Sequence, residues 1–140
     1  MGSRRTARER ALQALYQLEV SPSSVDTALA QAWAASDDEE PQDEAATRFA
    51  QELVNGVQAN AAELDRLIEA NSHNWRLERM SRIDRNILRL GTFELSKRDD
   101  IPKKVSINEA VEMAKKFGTE ESFAFINGLL DRIATAVNKA

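Results

Sequence analysis

Ser81-Arg82-Ile83-Asp84-Arg85-Asn86-Ile87-Leu88-Arg89-Leu90-Gly91-Thr92-Phe93-Glu94-Leu95 is the stretch on which the rest of the chain is organised. Ile83, Ile87 and Leu90 fall on one side at helical spacing, with Gly91 beside them. Leu88 and Leu95 widen that stripe beyond what a surface helix needs. Arg82, Arg85, Asn86 and Arg89 lie opposite. Glu94 falls near the middle of the apolar face, where a carboxylate must find a partner. So wide an apolar arc predicts a central helix covered from two sides.

Working outward, Lys97-Arg98-Asp99-Asp100-Ile101-Pro102-Lys103-Lys104 ends this helix, and Pro102 biases Ile101 away from helix. Lys97, Arg98, Lys103 and Lys104 make it a basic site. Ser106-Ile107-Asn108-Glu109 has the form of a capping box. The helix it predicts buries Ile107, Ala110, Val111, Ala114 and Phe117 and stops at Gly118. Thr119 is the expected cap of the last helix, which buries Phe123, Ile126, Leu130 and Ile133. Phe125 lies well off that line.

Towards the amino terminus, Asn71-Ser72-His73-Asn74 breaks the pattern, and Trp75 reads as a packing anchor. Before it, Asn60-Ala61-Ala62-Glu63 resembles a second capping box, opening a helix that buries Leu64, Leu67 and Ile68. A helix from about Glu44 to Ala59 turns Phe49, Leu53, Val54 and Val57 inward, and one ending near Ala35 buries Ala28, Leu29, Ala32 and Trp33. The first helix runs from residue 4 to about 20, with Ala7, Ala11, Ala14, Leu15 and Leu18 on one face and Leu12 and Tyr16 extending it. That makes about seven helices without a convincing strand. With five Gly and three Pro in 140 residues, and 42% hydrophobic residues, the composition favours an all-helical core.

The net charge of −4 is unevenly spread. Residues 1–10 hold four Arg and one Glu, giving +3, and residues 37–44 hold six acids, giving −6, which leaves −1 for the remainder. Arg4, Arg5, Arg8 and Arg10 therefore form a basic arm on a near-neutral body. Cations at a helix start oppose the macrodipole, at a few tenths of a kcal/mol each. The arm reads either as a solvated face paired with Glu9 or as a phosphate-binding segment. The acidic stretch 37–44 reads as a solvated loop.

Catalysis finds no footing in these residues. There is no Gly-flanked serine elbow and no phosphate-cradling glycine loop. Without cysteine there is no thiol nucleophile or cysteine-ligated zinc, and His73 is the single histidine, so neither a metal nor another cofactor is expected. No apolar run approaches a membrane span.

The chain resembles the NusB family of transcription antitermination proteins along nearly its whole length. The resemblance is carried by Ile83-Asp84-Arg85, Ile87-Leu88-Arg89-Leu90, Glu94-Leu95-Ser96-Lys97-Arg98, Ile101-Pro102, Lys104-Val105, Ile107-Asn108-Glu109-Ala110, Ala114-Lys115, Phe117-Gly118 and Phe125-Ile126-Asn127-Gly128-Leu129-Leu130-Asp131. Arg8-Glu9 and Ala11-Leu12-Gln13-Ala14-Leu15-Tyr16 agree as well; residues from about Val20 to Gln42 do not, and nothing is carried over there. The resemblance implies one NusB-like domain over 1–140, built as two packed three-helix bundles with a linking or extra helix. The break at 71–74 predicts halves of about 1–72 and 73–140. It implies a non-catalytic cytoplasmic adaptor that pairs with the ribosomal protein NusE. The pair would bind single-stranded boxA-type ribosomal RNA and recruit the RNA polymerase antitermination complex. By position, Arg4, Arg5 and Arg8 match the family's arginine-rich arm. Glu121 and Phe125 match a surface associated with RNA, and Tyr16, Asp84 and Arg89 the side facing NusE. Arg10, Lys97, Arg98, Lys103 and Lys104 join the RNA candidates on charge alone. Two other readings are open: an RNA-binding domain of an rRNA cytosine methyltransferase, and a helical interaction module that forms homo-oligomers.

Overall fold

The computed structural model describes residues 3–36, 43–73 and 76–139. Among these residues the chain forms seven α-helices and no strand, divided into two compact units, residues 1–58 and 59–140.

The first unit holds α1 (Ser3–Val20), α2 (Val25–Ala34) and α3 (Glu44–Ala59), with α1 packed on α2. Ser24 caps α2, its hydroxyl accepting from the Thr27 amide at 3.0 Å. Asp43 does the same for α3, with Oδ1 accepting from the Ala46 amide at 2.6 Å. One residue of the acidic stretch is therefore a helix cap; residues 37–42 lie outside the described residues. Ala7, Ala11, Ala14 and Leu15 of α1, Ala28, Leu29 and Ala32 of α2, and Phe49, Leu53, Val54 and Val57 of α3 are buried. Trp33 is half-buried rather than buried.

The second unit holds α4 (Ala61–Asn71), a 3-10 turn at Leu77–Arg79, α5 (Arg82–Lys97), α6 (Lys103–Phe117) and α7 (Ser122–Ala136). Helix α5 is central, packing against α4, α6 and α7. Ile87, Leu88 and Leu90 are fully buried there, each worth roughly 1.5–3 kcal/mol of transfer free energy. Gly91 permits the close approach of α7, since a Cβ at that position would sit 2.8 Å from Leu130 Cδ1. Ser81 caps α5 through the Asp84 amide at 3.1 Å. The buried Glu94 finds its partner on α6: the Ser106 hydroxyl donates to Oε1 at 2.7 Å. Because α4 packs on α5 and α7, it belongs with the carboxy-terminal helices, and the unit boundary precedes it.

Several local expectations are corrected. Asn60 makes no side-chain cap bond to α4; its backbone, φ −115° and ψ 17°, lacks the extended geometry that aims a cap side chain at the first turn. Helix α6 starts at Lys103 behind Pro102, so Ser106 lies inside it and serves Glu94 instead of a cap. The residue at the cap of α7 is Glu121, not Thr119. Asn86 is buried, donating to the Arg82 carbonyl at 3.0 Å, although the helical wheel places it on the polar side. Ile83, Leu67, Val111 and Phe117 are half-buried, and Phe123 is exposed because Leu129 joins Ile126, Leu130 and Ile133 on the buried face of α7. Trp75 lies outside the described residues.

Candidate nucleic-acid interface

The arginine arm is the first turns of α1, a helix already regular at Ser3 and without an acid in its first turn. Its charges are held by an aromatic ring of the same unit. The guanidinium carbon of Arg4 lies 4.4 Å from the centroid of the Phe49 ring and that of Arg8 lies 5.2 Å from it. Each such contact is worth about 0.5–1 kcal/mol when exposed and about 2 kcal/mol when desolvated, enough to offset the dipole penalty. Arg8 and Arg10 are only 3% exposed. Arg10 lies 5.7 Å from the Trp33 ring and donates to Gln13 Oε1 at 2.8 Å. The arm's surface charge is thus carried by the exposed Arg4 and the half-buried Arg5. Tyr16, farther along α1, is 39% exposed.

Two of the four bases of the second segment face acids. Lys97 pairs with Glu63 at 3.0 Å, and Arg98 grips both oxygens of Asp100 at 2.9 and 3.0 Å. Lys103 and Lys104 stand exposed in the first turn of α6.

A cleft of about 490 Å³ opens within the second unit, between the end of α4, the start of α5 and the start of α7. Asp84, Glu121 and Phe125 all line it, so residues matched to two different surfaces share one wall. Asp84 Oδ2 accepts from the Ser122 hydroxyl at 3.1 Å, tying α5 to α7, while Oδ1 is buried without a hydrogen bond. Phe125 is half-buried and presents part of its ring to the cleft. Arg79 and Arg132 give the same cleft a cationic side, with His73 beside them. His73 has a positive φ of 45°, and Arg132 Nε donates to the Asn71 carbonyl at 2.9 Å. None of the three carried a signal for this cleft in the sequence: His73 and Arg79 lie in short segments without a pattern, and Arg132 is an exposed residue of α7. Arg89 does not line the cleft: its guanidinium holds Asp65 at 2.8 and 3.1 Å and Asn86 Oδ1 at 3.3 Å.

The chemistry on offer is recognition. Two arginines and a histidine suit phosphate, Phe125 offers an aromatic face, and the carboxylates accept from base or backbone donors. Among the described residues no cluster of three His, Cys, Asp or Glu side chains could hold a metal ion, and no helix is long and apolar enough to cross a membrane.

Comparison with known proteins gives the family of the chain. The model of the NusB family matches residues 5–135. The transcription antitermination protein NusB of Myxococcus xanthus (strain DK1622) is 64% identical over 139 residues, spanning 99% of both chains. The structure of T. maritima NusB superposes with a TM-score of 0.83 at 39% identity, over 94% of this chain and 90% of that one. A chain from a crystal structure of the antitermination factors NusB and NusE in complex with double-stranded RNA superposes with a TM-score of 0.84. It is 25% identical, over 96% of this chain and 97% of that one.

Proposed function

The chain belongs to the NusB family, and from that premise we propose that it is a non-catalytic adaptor of transcription antitermination. It pairs with NusE and binds a boxA-type segment of ribosomal RNA leader, and the assembled pair then joins the RNA polymerase antitermination complex in the cytoplasm. The observation that carries this reading is the end-to-end likeness to a chain solved with NusE and RNA. The arm and the cleft supply chemistry to match: Arg4 and Arg5 meet phosphate, and Phe125 stacks a base. The related complex holds duplex RNA, yet duplex grooves give side chains little sequence information. A single strand whose bases can be splayed out is therefore the target that allows sequence preference.

Asp84, Arg89 and Tyr16 are the side chains assigned to NusE, with Arg89 acting through Asp65 and Asn86. Lys103 and Lys104 add long-range attraction, and Lys97 and Arg98 contribute less because each already faces an acid. The matched relatives are antitermination proteins along their full length, which favours the adaptor over a methyltransferase domain.

The test is a titration of labelled single-stranded boxA-type RNA with the protein alone and with NusE present, against duplex and scrambled competitors. Tighter binding with NusE and preference for the single strand are expected. Indifference to NusE, or no RNA binding in either sample, overturns the adaptor reading.

A further inference from the structure

Arg4 and Arg8, one helical turn apart on α1, both lie against the Phe49 ring, at 4.4 and 5.2 Å from its centroid. Phe49 comes from the middle of α3 and is 4% exposed, so its ring is fixed by packing. A guanidinium held over a ring has five N–H donors and can still aim some of them away from the ring. Arg4 is exposed, so solvent reaches its side chain even though its position is set from below.

The surrounding sequence works against an ordered first turn. The first turn of α1 has two arginines, Arg4 and Arg5, and no acid, an arrangement that the helix dipole disfavours. The first four amides of any helix also lack an internal partner, so this end frays unless something outside the turn holds it. Four residues on, the buried Arg8 lies over the same ring. The ring is thus in contact with the turn at both its start and its end.

We infer that Phe49 is a positioning residue for RNA binding, holding the arginine arm in helical form through its ring contacts with Arg4 and Arg8 before any RNA arrives. This rests on the reading of the chain as an RNA-binding protein, and it adds how the arm is made ready. A preformed arm does not lose its backbone freedom at the moment of binding, whereas a frayed one must. The charges are the same in both cases. Loss of the anchor therefore weakens binding without changing the number of phosphates met.

The experiment measures affinity for a labelled single-stranded boxA-type RNA as a function of salt, for wild type, Phe49→Leu and Phe49→Tyr. Far-UV circular dichroism establishes that each is folded. In parallel, hydrogen exchange reads the amides of Ala7 and Arg8, which in helical geometry bond back to the first turn. For Phe49→Leu, log K against log salt is expected to shift down in parallel by about three- to tenfold, the equivalent of one or two cation–π contacts. Protection of the two amides should be lost. Phe49→Tyr, which keeps a π face, should restore both. If the leucine protein proves unfolded, Phe49→Met carries the same comparison with a more adaptable side chain. Coincident lines for wild type and the aliphatic variant overturn the inference, as does a tyrosine variant as weak as the aliphatic one. A wild type that binds no RNA would instead overturn the function proposed for the chain.

Discussion

Arg89 and Phe125 bring two different physical situations to the residue scale. Arg89 holds Asp65 through two hydrogen bonds, and the side chains are 19% and 28% exposed. A pair so far out of water, once broken, leaves a charge poorly solvated. Arg89→Ala should therefore cost about 1–3 kcal/mol of stability, measured by chemical denaturation, with Asp65→Asn showing a similar loss. A stable variant that nevertheless loses NusE affinity would mean that Arg89 touches the partner directly. Phe125 stands only part-way into the core. Phe125→Ala should weaken RNA binding by about 1–3 kcal/mol, the range for one stacked base, with little loss of fold. If the variant unfolds while its folded fraction binds RNA normally, the ring belongs to the core. The departure of Phe125 from the buried line of α7 was legible from spacing alone. Its cleft neighbours were not: His73 and Arg79 come from short segments with no periodicity to read, and the spacing of α7 does not say what the exposed Arg132 faces.

At the scale of elements, the periodicity of α3 and α5 located their buried faces because each has one wide apolar stripe. Helix starts were harder. Ser106-Ile107-Asn108-Glu109 has the composition of a capping box but lies inside α6, since Pro102 begins that helix earlier and Glu94 needs the Ser106 hydroxyl. A cap motif is a local signal, and a buried carboxylate from another helix outweighs it. The burial of Arg8 was also hidden, because helical spacing gives direction and not depth. That depth changes the charge count of the arm. With Arg8 and Arg10 at 3% exposure, the proposed phosphate contacts fall to Arg4 and Arg5. Each contact with a single strand adds roughly −0.7 to the log–log salt slope, so replacing both with Ala should flatten it by roughly 1.4. An unchanged slope removes the arm from the RNA contact. A change near 2.1, three contacts' worth, on also replacing Arg8 would mean that the arm rearranges to release it.

At the scale of the whole molecule, Asp84 is where the proposed partner and RNA functions meet. Its amide donates to the capping hydroxyl of Ser81, its carboxylate accepts from Ser122 at the start of α7, and it shares a cleft with Glu121 and Phe125. An acid at a docking surface suits a basic ribosomal protein, where charge sets orientation and on-rate more than final affinity. Asp84→Lys reverses that charge but also removes the Ser122 bond, at a stability cost of about 1 kcal/mol. Asp84→Asn is the control, since its amide oxygen can still accept from Ser122 while the charge is gone. Both variants should associate with NusE more slowly, the lysine more severely, and the effect should shrink as salt rises. The enhancement of RNA binding by NusE must then equal the enhancement of NusE binding by RNA, for wild type and variants alike, because coupling between two ligands is reciprocal. Titrating NusE with and without boxA-type RNA closes that cycle for each protein. If Asp84→Asn leaves NusE affinity intact and instead weakens RNA binding by the lone chain, Asp84 serves the cleft it lines with Phe125, and the partner surface lies elsewhere on the molecule.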